Sequence, residues 1–437
     1  MTPETEPQGC QLMVVGAGMA GTAAALFAAR RGLATVQAGL TGETLYASGL
    51  FDLYGVTHDS SRQLVDNPWE GLARLKTECP EHPLSRVPSD QIRAAMDQLT
   101  AFLGTAGYPY TGHANKNARL ITSVGSVKRT FRVPTTMWPG VAALETRQPC
   151  LILDIPGLRG FSANQIVETL KPAWPDLRAA SVDIPWETRL GPKYAEHIAR
   201  GLDAPGGRRE LADAIRPHLG QETVIGLPAV LGIYDVCGVH QELEQMLDRR
   251  IFEIPTMPPA ISGVRLKEAF DIHVPKLGVT TFYHHSVLSV DRRQDGRFEL
   301  QLGKNEPETT IVADNVLLAT GRFLGKGLVA ERRGIRETLL DLPVCQPRNR
   351  SGWHREDFLD ARGHAINLAG LAVDDHFRPV AADGRPVYEN LYAAGTILAH
   401  QDWMRTKSGT GLAVATAYAA VAAITADPSG GRGPSRS

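Results

Sequence analysis

The run Gly16-Ala17-Gly18-Met19-Ala20-Gly21 leaves this chain few choices of fold. Residues 11–15 before it form a short apolar strand candidate. An Ala-rich stretch over about 19–31 follows and stops at Gly32, a residue suited to the position just past a helix end. Residues 33–38 then read as a second strand, so the chain opens as a βαβ unit. In that setting each glycine has a task. The first permits the tight turn, the second lets a phosphate approach the backbone, and the third allows close helix–strand packing. The helix N-terminus presents N–H groups and the positive end of its dipole to the anion. Gly16, Ala17, Gly18 and Gly21 are therefore candidate cofactor-binding residues.

One expected residue is missing. A dinucleotide-binding second strand normally ends in Asp or Glu, which holds the adenosine ribose hydroxyls. Here it ends in Gln37-Ala38-Gly39, and Glu43 comes four residues too late. FMN, with one phosphate and no adenosine, has no need of that carboxylate.

Two later motifs repeat the strand-to-glycine pattern. Residues 315–319 form an apolar strand candidate running into Thr320-Gly321-Arg322, and residues 390–394 form another that ends at Gly395. Ser408-Gly409-Thr410-Gly411 then opens a final helix whose N-terminus suits the electron-rich edge of a reduced flavin. Three such motifs in this order favour a flavin fold over NAD alone. The expected fold class is α/β, a discontinuous Rossmann-like FAD/NAD(P)-binding domain with an inserted α+β cap domain. Residues 10–59, 264–334 and 386–426 are assigned to the binding domain, and 60–263 to a cap that carries substrate or a partner. Residues 335–385 connect, and 1–9 and 427–437 are loose ends. The insertion reads as amphipathic helices separated by Pro-rich loops, and residues 279–291 as a single β run.

Composition supplies exclusions. With 46 Lys+Arg against 47 Asp+Glu the net charge is −1, which lacks the basic surface that nucleic-acid binding needs. The 5 cysteines are scattered, with no Cys-x-x-Cys, so neither a metal site nor an iron–sulfur cluster is expected in this chain. They read as reduced thiols of a cytoplasmic protein. The apolar stretch 411–426 is short for a bilayer, so membrane attachment is expected only through a partner. His284 and His285 read as neighbours on one strand, pointing to opposite faces and unable to share an ion. The run Gly321–Gly327 is too short for a P-loop.

The chain resembles the B subunit of the anaerobic glycerol-3-phosphate dehydrogenase over most of its length. The resemblance rests on the opening glycines and on Ser48-Gly49-Leu50-Phe51-Asp52-Leu53. It continues through Val124-Gly-Ser-Val-Lys128, Gly226-Leu-Pro-Ala-Val-Leu-Gly232 and Ile254-Pro-Thr-Met-Pro-Pro259. The run from Ala319 to Ile335 and the block from Asn390 to Gly395 are its most specific parts. The resemblance implies a flavoprotein subunit carrying FMN, with FAD as the alternative. It implies partnership with an FAD-containing catalytic subunit, the A subunit, and with an iron–sulfur membrane-anchor subunit, the C subunit. Such a complex oxidises sn-glycerol 3-phosphate to dihydroxyacetone phosphate in anaerobic respiration and passes electrons to quinone. The chain is then cytoplasmic, held on the inner face of the cell membrane by a partner. Ser48, Gly49, Thr320, Gly321, Arg322, Gly395, Gly409, Thr410 and Gly411 join the cofactor-binding candidates.

Oxidising an alcohol needs a base for the hydroxyl proton and cations for the phosphate. His400 is the candidate base, and Arg405 and Lys407 the candidate phosphate ligands, with Lys128 and Arg129 behind them. The segment 401–407 is bulkier and more basic than the small Gly-rich run expected there. Two rival readings stand beside this one: a non-catalytic electron-transfer or assembly subunit, and a stand-alone flavin oxidoreductase with another substrate.

Overall fold

The computed structural model describes residues 7–186 and 192–426, so the expected loose ends at 1–6 and 427–437 lie outside the described residues. Gln8 and Gly9, assigned from sequence to the loose start, instead open strand β1 (Gln8–Val15) and pair with Ile311 and Val312.

The chain divides into two compact units. Met1–Thr41, Leu53–Leu99 and Phe270–Ser437 form the first, and Gly42–Asp52 with Thr100–Ala269 the second. The second unit thus takes in 42–52, read from sequence as part of the binding domain, and the first takes in 60–99, read as cap. Phe51 exchanges N–H···O bonds with Arg132, which ties the 42–52 segment into the second unit. Gly55 and Val56 both donate to the Thr406 carbonyl, which holds the following segment in the first.

The first unit is built on a seven-stranded sheet. Its order runs Thr280–Tyr283, β2 (Thr35–Gly39), β1, Thr309–Leu318, Phe298–Gly303 and Ser286–Arg292, and Leu391–Ala393 also pairs with Thr309–Leu318. β1, β2 and the strands Thr280–Tyr283, Thr309–Leu318 and Leu391–Ala393 are parallel, while the other two form an antiparallel extension. The strand expected over 315–319 is the second half of a longer one, Thr309–Leu318. Asn315, where that strand was expected to start, donates from Nδ2 to the Gln11 carbonyl at 3.0 Å and lies within the sheet. The single β run expected over 279–291 splits, because His284 takes a left-handed turn (φ 65°). His284 and His285 are thus in a turn, not on a strand, and His285 Nε2 lies 3.1 Å from Glu308 Oε2.

Helix α1 (Met19–Arg30) buries nine of its residues, the unbroken run from Ala20 through Ala28, which explains its Ala-rich composition. The last helix, Gly409–Ala426, packs beside it. Phe27 meets Tyr418 edge-on at 5.1 Å, and the Arg31 guanidinium covers the same ring at 4.4 Å. At 18 residues this helix is longer than the apolar stretch read from sequence and is apolar enough to cross a bilayer, yet most of it is buried within the protein.

The second unit contains a four-stranded parallel sheet in the order Arg250–Ile254, Val224–Pro228, Cys150–Asp154, Leu177–Ser181. Helical stripes alone do not reveal these strands. Cys-Leu-Ile-Leu-Asp is a continuous apolar run buried on both faces, and it lacks the alternation that marks a half-exposed strand. The chain order reverses between Cys150–Asp154 and Val224–Pro228, the place where open α/β sheets usually take ligands. Here the chain fills that place itself. Glu253 accepts from the Leu231 N–H at 2.9 Å and from Thr136 Oγ1 at 2.6 Å, and it forms a bidentate pair with Arg265 at 2.7 and 2.8 Å. Asp203 Oδ1 takes the N–H groups of Ile233 and Tyr234.

Candidate functional site

The three glycine motifs of the first unit meet because their strands are parallel neighbours. Val15 is in register with Leu318, and Leu318 with Ala393. Gly16, Thr320-Gly321 and Gly395 therefore leave the same carboxyl edge of the sheet side by side. The contacts are close. A Cβ on Gly16 would lie 2.3 Å from the Ala319 carbonyl oxygen, and one on Gly395 would lie 2.6 Å from the Ala20 Cβ. Gly16 has φ 126°, Gly321 φ 68° and Gly395 φ 79°, conformations that glycine adopts without steric cost. The Gly395 N–H donates to the buried Thr416 Oγ1 at 2.9 Å, which pins this turn to the last helix.

Gly18 is the N-cap of α1, with no side-chain cap and no acidic residue in the first helical turn. The helix N-terminus thus meets no competing carboxylate from its own sequence. A Cβ on Gly21 would lie 2.0 Å from the Gly16 oxygen, so only glycine lets the turn fold onto the helix. Gly411, in the first turn of the last helix, packs on the Leu53 backbone, where a Cβ would lie 2.8 Å from Leu53 Cα. Gly409 lies against the Trp403 ring, and Thr410 is half-buried beside it.

The end of β2 shows why the ribose carboxylate is missing. A Cβ on Gly39 would lie 2.5 Å from the Ala17 nitrogen and 2.9 Å from the Gly16 carbonyl carbon. No acidic side chain can stand there while the glycine turn keeps this course. Gln37, fully buried, braces the turn by donating from Nε2 to the Gly16 oxygen at 3.0 Å, and among the described residues its Oε1 has no hydrogen-bond partner. The Thr41 and Thr320 hydroxyls are likewise buried without a partner. This donor and acceptor set fits a flavin phosphate: a tight glycine turn, an uncapped helix start and hydroxyls left to satisfy. Gly39 was visible in the sequence, but its closeness to Ala17 depends on strand pairing across the turn.

The remaining candidates fall in different places. His400 has a left-handed backbone (φ 63°), its side chain is one-third exposed, and Nδ1 lies 3.6 Å from Glu81 Oε2. Arg405, expected to bind phosphate, instead directs its guanidinium to the carbonyls of Asp360 and Ala361, with Nε 3.9 Å from Asp402. Lys407 is exposed and also left-handed (φ 50°). Arg322 turns to the Asn367 carbonyl, and its burial lowers its pKa. Ser48 and Gly49 belong to the second unit, where the Ser48 carbonyl accepts from Ser262 Oγ at 2.9 Å and Gly49 (φ 77°) packs on the same serine. Lys128, also in the second unit, pairs with Asp52.

His82 gave no signal in the sequence. It is buried, and its Nδ1 accepts from the Leu84 N–H at 3.1 Å, so the proton is on Nε2, which has no partner among the described residues. Burial, with the nearby His58 and His400 adding to it, pushes its pKa down to about 3.

The model of the FAD binding domain family matches residues 11–412. A protein of Halobacterium salinarum, named as a probable B subunit of anaerobic glycerol-3-phosphate dehydrogenase, is 31% identical over 424 residues, covering 94% of this chain and 96% of that protein. The B subunit of the Vibrio vulnificus anaerobic glycerol-3-phosphate dehydrogenase is 29% identical over 421 residues, covering 94% and 95%. The solved 3-ketosteroid delta1-dehydrogenase of Sterolibacterium denitrificans overlaps with a TM-score of 0.42 and 12% identity, covering 96% of this chain and 100% of that one. The chain belongs to the FAD binding domain family of flavoproteins, among the B subunits of anaerobic glycerol-3-phosphate dehydrogenases.

Proposed function

We propose that this chain is the flavoprotein B subunit of a quinone-linked glycerol-3-phosphate dehydrogenase, and that its flavin is FMN. The observation that carries the reading is the meeting of three glycine turns at one sheet edge, with Gly39 in the place of the ribose-binding acid. Names of relatives that span nearly the whole chain supply the substrate class and the assembly into subunits.

When bound, the flavin supplies two-electron acceptance and onward electron transfer toward quinone. The chain's own residues do the rest. The Gly16–Gly21 turn and the start of α1 hold its phosphate through backbone N–H groups. The first turn of the last helix, at Gly409–Gly411, places a positive dipole end at the same sheet edge. His400 takes the C2 hydroxyl proton of sn-glycerol 3-phosphate at Nε2, since Glu81 faces Nδ1. Lys407 supplies positive charge for the phosphate. An FAD-containing catalytic A subunit and an iron–sulfur C subunit complete the assembly, and the latter holds it on the inner face of the cell membrane.

One observation favours a second reading, a subunit that relays electrons without binding substrate: Arg405 is committed to the carbonyls of its own loop. Turnover of glycerol 3-phosphate with an artificial acceptor, measured with and without the catalytic partner, separates the two. Turnover that needs this chain's His400 supports the first. Turnover unaffected by His400→Gln supports the second.

A further inference from the structure

Two runs on which the family resemblance rests, Ser48–Leu53 and Val124–Lys128, each supply a residue to one ion pair in the second unit. Lys128 Nζ lies 2.6 Å from Asp52 Oδ2, with the two side chains 26% and 17% exposed. A pair this buried gains little net stability, because desolvation offsets most of its attraction. It is not needed to join the two segments, since backbone hydrogen bonds between Phe51 and Phe131-Arg132 already do so.

The pair is also incomplete. Among the described residues, Asp52 Oδ1 is buried with no hydrogen-bond partner and Lys128 Nζ donates only to Asp52. Two residues along the strand Val127–Thr130, hence on the same face as Lys128, the Thr130 hydroxyl is buried and also has no partner among the described residues. Leaving buried polar groups unpaired costs free energy, so each calls for a partner from outside the chain. The unmet capacity is one carboxylate acceptor, two ammonium protons and a hydroxyl. That set matches a small molecule with an alcohol beside an anionic group.

We propose that Asp52, Lys128 and Thr130 form a binding site in the second unit for a hydroxylated phosphate ester, Asp52 Oδ1 accepting from its hydroxyl and Lys128 Nζ donating to its phosphate. The choice of sn-glycerol 3-phosphate as probe rests on the proposed function; the site itself does not.

Isothermal titration of the flavin-loaded chain with sn-glycerol 3-phosphate, inorganic phosphate and glycerol tests the site. Lys128→Met weakens both phosphate-bearing probes, and Asp52→Asn weakens glycerol 3-phosphate while sparing inorganic phosphate, each by about tenfold or more. Thr130→Val, a near-isosteric neutral change, weakens glycerol 3-phosphate as well and stands in if the charge variants misfold. Folded variants that bind glycerol 3-phosphate within about twofold of wild type overturn the site. If the wild-type chain binds no glycerol 3-phosphate, the substrate reading of the proposed function fails. The site then stands if Lys128→Met abolishes inorganic phosphate binding, and falls if wild type binds neither probe.

Discussion

The α-carbon of Gly39 faces the Ala17 nitrogen so closely that a Cβ would lie 2.5 Å from it. The end of β2 and the phosphate turn are thus in backbone contact at the position where a dinucleotide-binding chain keeps its ribose carboxylate. Restoring the acid therefore does not restore FAD binding. Gly39→Glu is expected to push the Gly16-Ala17 turn aside and lower flavin content by about tenfold, an effect equivalent to losing a strained turn of ~1–3 kcal/mol. The ratio of flavin to protein absorbance checks this. A Gly39→Glu protein that retains flavin and exchanges FMN for FAD contradicts it.

Thr416 is fully buried and accepts the Gly395 N–H at 2.9 Å while donating to the Leu412 carbonyl. Thr416→Val keeps the shape and removes the acceptor, leaving a buried N–H unpaired. The expected cost is about 1–3 kcal/mol. Urea unfolding measures it, and flavin affinity should fall with it because Gly395 belongs to the site.

This part of the site was legible in the sequence. Each motif announces itself locally, as an apolar strand running into glycine. Their meeting was not legible as contact, because the register of Val15 with Leu318 and of Leu318 with Ala393 joins residues far apart along the chain. The same limit hid Gly39's role and the Asp52–Lys128 pair. In the second unit a different signal failed: strands buried on both faces carry no alternation, so Cys150–Asp154 and Val224–Pro228 look like any apolar run. Arg405 shows the converse. Its residue type suits phosphate, but its α-helical turn aims it at Asp360 and Ala361.

Glu253 and Arg265 close the carboxyl end of the parallel sheet in the second unit. Burial opposes ionisation of Glu253, but the Arg265 guanidinium, Thr136 and the Leu231 N–H overcome it and hold its pKa below the usual range. Arg265→Met leaves the carboxylate buried and unpaired and is expected to cost about 3–5 kcal/mol. Replacing both partners with apolar residues should cost less than the single change. Chemical unfolding of the single and double variants decides the matter, and equal costs would argue against a buried charge as the cause.

His82 sets an acid-sensitive range. Its pKa falls from 6.5 to about 3 in the folded protein, with burial the main cause. A depressed folded-state value means the unfolded chain takes up the proton first as pH falls. The stability is complete above pH 6.5 and is lost toward pH 3, at about 1.4 kcal/mol per pH unit at most. His82→Asn keeps an acceptor for the Leu84 N–H without titrating. Its unfolding free energy should decline less steeply than wild type across that interval, and parallel slopes would contradict the assignment.

The flavin that the chain itself retains bears on every proposal about the glycine turns. The purified chain is expected to be yellow, denaturation should release FMN, and Gly18→Trp should yield colourless protein. Release of FAD, or a wild-type chain that stays colourless after incubation with FMN, would contradict the FMN assignment.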